Sequence, residues 1–79
     1  MEERDWEIEK PTFVLSSEGC HRAEYGVCKN VQHQDGSPMI WYKLSEECVG
    51  FVVEETLLDV GQARTKWRTQ RGLGWVRIK

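Results

Sequence analysis

Apolar and polar positions alternate with a period of two over most of this chain, and turn-forming residues interrupt the alternation at regular intervals. Thr12-Phe13-Val14-Leu15-Ser16 is a short strand candidate closed by Ser16-Ser17-Glu18-Gly19. From Cys20 to His33, Tyr25, Val27 and Val31 share one parity while Gly26 and Cys28 share the other, so the last half of this segment reads as strand. Asp35-Gly36 then signals a tight hairpin, because Gly accepts positive φ without a Cβ clash, and pairing should resume after Pro38. In the next strand Ile40, Tyr42 and Leu44 point one way and Met39, Trp41 and Lys43 the other. One of these faces must be core, which leaves Trp41 on or near the surface. Ser45-Glu46-Glu47-Cys48 forms a second turn, and Val49, Phe51 and Val53 line the following strand.

Two regions break or blur the pattern. Glu54 to Val60 loses the period of two, and Leu57, Leu58 and Val60 fit one short helical turn. Residues 61–70 fit two structures. Extended, they place Arg64, Lys66 and Arg68 on one face and Ala63, Thr65, Trp67 and Thr69 on the other; helical, nothing except Gly61 opposes them. Arg71-Gly72-Leu73-Gly74 is a turn, and Trp75-Val76-Arg77-Ile78 a final strand. Ahead of the first strand, Met1 to Glu9 is acidic, with residues 1–5 expected to fray and Pro11 marking a strand edge.

The expected fold is therefore all-β: one domain spanning residues 1–79, a small barrel or rolled antiparallel sheet of five to six short strands with at most one helical turn near residues 54–60. Residues 25–58 carry a strand entered through Gly26, the Asp35-Gly36 hairpin, the Ile40-x-Tyr42-x-Leu44 strand, and Gly50-Phe51-Val52 leading to Glu54 and a turn with Leu57-Leu58. In these features the segment resembles small SH3-like barrels of the Tudor or KOW kind. The resemblance implies an SH3-like fold, and a groove or cage of exposed aromatics that takes a peptide.

Composition narrows the function classes. Seventy-nine residues with four Trp, two Tyr and two Phe supply enough core for one small domain. The longest apolar runs fall far short of the roughly 20 residues of a membrane span, and the N-terminus is acidic rather than basic, so a cytoplasmic location is expected. Net charge is −2, but unevenly divided: residues 1–59 hold 13 acids and 5 bases, residues 60–79 hold 6 bases and no acid. A bipolar chain favours association with a protein partner or with itself.

Cys20, Cys28 and Cys48 are an odd number in a chain expected in a reducing compartment, so a disulfide framework is not anticipated. Together with His21 and His33 these cysteines contain no closely spaced ligand pair of the kind zinc sites use, and no metal or other cofactor is expected. The acidic pairs Glu46-Glu47 and Glu54-Glu55 lie on turns and read as solvated, and so short a chain leaves little room for an enclosed substrate cleft. The protein is expected not to be an enzyme. The partner-binding candidates are Trp41, Trp67 and Trp75 with Arg64, Lys66, Arg68, Arg71 and Arg77. They suit a protein-binding module working through exposed aromatics and a basic strand. The alternative is single-stranded nucleic acid or RNA, in which cations meet phosphates and indole rings stack on bases.

Overall fold

A computed structural model describes residues 5–78. Five antiparallel strands form one sheet: β1 (Phe13–Ser16), β2 (His21–Gln32), β3 (Pro38–Glu46), β4 (Phe51–Leu58) and β5 (Val76–Arg77). Among the described residues a single helix, α1 (Val60–Gly72), lies between β4 and β5 in sequence. The strand order is β4-β3-β2-β1-β5, so β2, β3 and β4 form the expected meander and β5 returns to the outer side of β1. The sheet is open, with β4 and β5 as its edges. It does not close into a barrel, and the chain between the two edges is taken up by α1.

The expectation of frayed residues 1–5 falls mainly outside the described residues. Those that follow are held in place. Beyond the Phe13–Tyr25 pair, residues 7–9 continue alongside β2, with Glu9 N donating to Val27 O (2.8 Å) and Lys29 N to Glu7 O (2.7 Å). The Asp35-Gly36 hairpin forms with Gly36 at φ 89°, but its loop is His33–Ser37 rather than a two-residue turn. Asp35 Oδ1 stabilises the wider loop by accepting from Ser37 N at 2.9 Å.

Residues 54–58 are strand, not a helical turn. The period of two continues there because Leu57 pairs with Trp41 and Leu58 with Ile40. A register shift between Leu44 and Ser45, where Glu54 and Val52 are their partners, inserts Val53 as an extra residue and disguises the alternation. The helix starts later and runs longer than the sequence pattern suggests. Asp59 is its N-cap: Gln62 N donates to Asp59 Oδ1 (2.8 Å), and Asp59 N donates to Gln62 Oε1 (3.4 Å), a reciprocal capping box. Residues 61–70 are therefore helical.

Both faces of the sheet are packed. On the helix side the core is Leu15, Ala23, Tyr25, Tyr42 and Ala63, joined by Ile40, Leu44, Leu58, Trp67 and Trp75. The opposite side buries Val14, Cys28 and Trp41. A Cβ placed on Gly26 would lie 2.5 Å from Ile8 Cγ2 and 3.0 Å from Thr12 Cγ2, so glycine is what lets the N-terminal segment seat against β2 beside Trp41. Trp41 is accordingly buried, correcting the expectation that it stands exposed. Its indole Nε1 donates to Glu55 Oε2 at 2.9 Å.

The cysteines also depart from expectation. Cys20 and Cys48 form a disulfide, with Cα atoms 5.7 Å apart, while Cys28 is a free, buried thiol. The bridge joins the β1–β2 turn to the β3–β4 turn, whose backbones also meet through Glu47 N donating to Cys20 O (2.8 Å). Odd cysteine number did not preclude a pair, because the third thiol is buried on the far face of the sheet. Among the described residues no helix is long and apolar enough to cross a membrane.

Candidate binding cleft

α1 turns a stripe of Ala63, Trp67 and Gln70 toward the sheet, the i, i+4, i+7 spacing of one helix face. Trp67 meets the edge of Tyr25 at 5.3 Å between ring centroids. Gln70 is buried and bridges two phenols: Tyr25 Oη donates to Gln70 Oε1 (2.6 Å), and Gln70 Nε2 donates to Tyr42 Oη (3.0 Å). Burial, then the neighbouring Tyr42, pushes the Tyr25 pKa well above the ordinary phenol value; Tyr42 is raised as well, mainly by burial. Both therefore stay neutral, and the pair with Gln70 pins the helix to the sheet.

Beside this seam the helix and sheet diverge into an open cleft of about 380 Å³. Phe13, Tyr25 and Ile40 line it from the sheet, and Val60, Ala63 and Trp67 line it from α1. Arg64 and Arg68 from α1 and Arg77 from β5 complete the lining. The helical spacing of four residues places Arg64 and Arg68 on the same side of α1. Arg77 reaches the cleft from the sheet, its guanidinium 5.0 Å from the Phe13 ring centroid. Among the described residues Arg64 and Arg68 have no carboxylate partner within ion-pair distance. An apolar slot is thus lined by three guanidinium groups, of which Arg64 and Arg68 have no carboxylate within ion-pair distance among the described residues.

The remaining sequence candidates are dispersed. Lys66 lies over the Tyr42 ring at 5.0 Å, on another side of the helix from Arg64 and Arg68, so the three do not form the single basic face expected of a strand. Arg71 Nη1 donates to Trp75 O (3.2 Å) and serves the end of the helix. Trp75 packs on the core and stacks against His21 at 6.1 Å. Trp41 lies on the other face of the sheet. The structure thus gathers Arg64, Arg68, Arg77 and Trp67, and leaves Trp41, Trp75, Lys66 and Arg71 elsewhere.

Sequence reasoning passed over Phe13, Tyr25, Ile40 and Val60 as site residues. Phe13 gave one signal, as a large apolar residue on a short strand opening straight after Pro11. The others became lining residues only because α1 crosses the sheet at that level. The histidine and cysteine candidates have other partners: His21 Nε2 is 3.2 Å from Glu46, His33 Nδ1 is 3.4 Å from Asp35, and Cys28 Sγ is 3.1 Å from Asn30 Oδ1. Among the described residues no group of three or more His, Cys, Asp or Glu is arranged to hold a metal ion. Compared with family models, with curated proteins and with solved structures, the chain gives no match, so the functional reading rests on its own geometry.

Proposed function

We propose that this protein is a non-enzymatic binding module whose cleft takes an acidic protein segment carrying one apolar or aromatic side chain. The observation behind this reading is the combination in one place of an apolar lining, the aromatic rings of Phe13 and Trp67, and Arg64, Arg68 and Arg77. Guanidinium groups form bidentate hydrogen bonds with carboxylates, and an apolar slot beneath them gives a neighbouring side chain somewhere to be buried. The SH3-like reading of the β2–β3–β4 meander belongs to this proposal, with α1 standing where a closed barrel would have its seam. Cytoplasmic placement is an expectation that the Cys20–Cys48 disulfide argues against, since such bonds persist chiefly in oxidising compartments.

A second reading is favoured by the convergence of the same cations beside Trp67: single-stranded nucleic acid, with a base in the slot and phosphates on the arginines. Fluorescence anisotropy separates the two. The probes are a labelled acidic peptide with a central Phe, its Phe→Ser counterpart, and a labelled oligo-dT, each titrated at low and moderate salt. The protein reading expects the Phe peptide to bind, the Ser peptide to bind more weakly, and Arg64→Gln with Arg68→Gln to lower affinity by roughly tenfold or more. Oligonucleotide binding that falls steeply with salt while the peptides stay free would replace it with the nucleic-acid reading. No binding of any probe would remove both.

A further inference from the structure

The chain itself contains a segment of the kind this cleft suits. Residues 46–54 read Glu46-Glu47-Cys48-Val49-Gly50-Phe51-Val52-Val53-Glu54, an apolar run flanked by acids, and form the β3–β4 turn with the start of β4. Val49 is 70% exposed, Phe51 57% and Val53 48%, values unlike those of residues meant for this molecule's own core. Their clustering at the β3–β4 turn and the start of edge strand β4 makes an apolar tip of the sort that marks interaction sites. The Cys20–Cys48 disulfide holds the tip against the β1–β2 turn, so little conformational freedom is left to lose on docking. Glu54 has no cation within ion-pair distance among the described residues. Glu46 touches the His21 imidazole and Glu47 the Arg22 guanidinium, yet their side chains remain 41% and 50% exposed.

The tip cannot enter the cleft of its own molecule. Glu46 is at the tip end of β3 and Ile40 at the cleft end, six residues apart, which in an extended strand is roughly 20 Å. The separation also runs across the sheet: Phe51 and Glu54 are on edge strand β4, whereas Phe13 and Arg77 of the cleft are on β1 and β5 beyond β3 and β2. We propose, resting on the cleft reading above, that the occupant of the cleft is the β3–β4 tip of a second copy of this chain. Phe51 enters the slot between Phe13 and Trp67, and Glu54 with Glu47 faces Arg64 and Arg68. Charge complementarity selects this occupant: all the acids lie within residues 1–59, while residues 60–79 contain only bases. Because the two surfaces differ, the contact is head-to-tail, and a dimer keeps one free cleft on one copy and one free tip on the other.

The experiment is sedimentation velocity on the oxidised full chain and two variants. One has a disabled tip (Phe51→Ser, Glu54→Lys) and the other a disabled cleft (Arg64→Glu, Arg68→Glu); all substituted side chains are exposed, and circular dichroism verifies each fold. The expected result is concentration-dependent association of the wild type that salt weakens, and monomers of each variant alone. An equimolar mixture of the two should give a 1:1 dimer, because the intact tip of one meets the intact cleft of the other. The affinity should fall by roughly tenfold or more in either variant. A monomeric wild type at the highest concentration would overturn the self-association, as would variants that still associate alone or a mixture that stays monomeric. The peptide titration stands apart from these outcomes: a cleft that binds acidic Phe peptides in a monomeric protein keeps the binding-module reading, and one that binds none loses both. Should circular dichroism show either variant unfolded, Arg64→Gln with Arg68→Gln and Phe51→Ser alone replace them with the same expected pattern.

Discussion

Gln70 is a buried polar side chain in the helix–sheet seam, and both ends of its amide are used. Its carbonyl accepts from Tyr25 and its amide donates to Tyr42, so replacing it removes partners from two buried phenols at once. Gln70→Leu preserves volume and should lower unfolding free energy by about 2–4 kcal/mol, since an unsatisfied buried polar group costs about 1–3 kcal/mol. Urea denaturation checks this, and an unchanged midpoint would mean that the bridge is dispensable. The same phenols set a pH dependence. Both have folded pKa values raised above the ordinary 10.0, mainly by burial, so the folded state retains their protons more tightly than the unfolded chain does. Their contribution is complete below that ordinary value and is lost as pH rises beyond it. The urea midpoint should fall as pH is raised past about 10, and Tyr25→Phe should make that fall shallower.

The five strands and the helix differ in how openly the sequence announced them. The meander was readable because Tyr25, Tyr42 and their same-parity neighbours alternate cleanly and Asp35-Gly36 separates two of the strands. Continuation of β4 to Leu58 was not, since one extra residue at Val53 shifts the parity halfway along. The helix was obscured by Ala63 to Thr69, whose alternation fits a strand as well as a helix. What settles it lies just upstream, in Asp59-x-x-Gln62, a capping pair visible in the sequence. Asp59→Ala should lower stability by about 1 kcal/mol, the ordinary cost of losing an N-cap, with helix fraying visible as faster amide exchange at Gln62 and Ala63. Unchanged exchange there would assign the helix start to packing instead. The cleft was half legible: Arg64, Arg68, Arg77 and Trp67 stood out by charge and ring, whereas Tyr25 and Ile40 became part of its lining only through the crossing of α1. The disulfide was hidden because pairing of Cys20 with Cys48 depends on two turns meeting at one end of the sheet.

Taken whole, the molecule is an open sheet with two unlike surfaces. The β3–β4 turn and the start of edge strand β4 are apolar at Phe51 and acidic at Glu47 and Glu54. The Arg64–Arg68–Arg77 cleft is formed by α1 with β1 and β5 on the other side of the sheet order. Such polarity explains how a chain of net charge −2 can present a locally cationic site. Binding at the cleft is the proposal on which the functional reading depends. Its most direct test is a two-dimensional NMR titration of the isotope-labelled protein with the acidic Phe peptide, followed at the backbone amides and the Trp67 indole. The largest shifts should map to Phe13, Ala63, Arg64, Trp67, Arg68 and Arg77, and should vanish when Arg64 and Arg68 are glutamines. Saturable shifts confined to another surface, such as the polar side of α1 around Lys66 and Thr69, would contradict it.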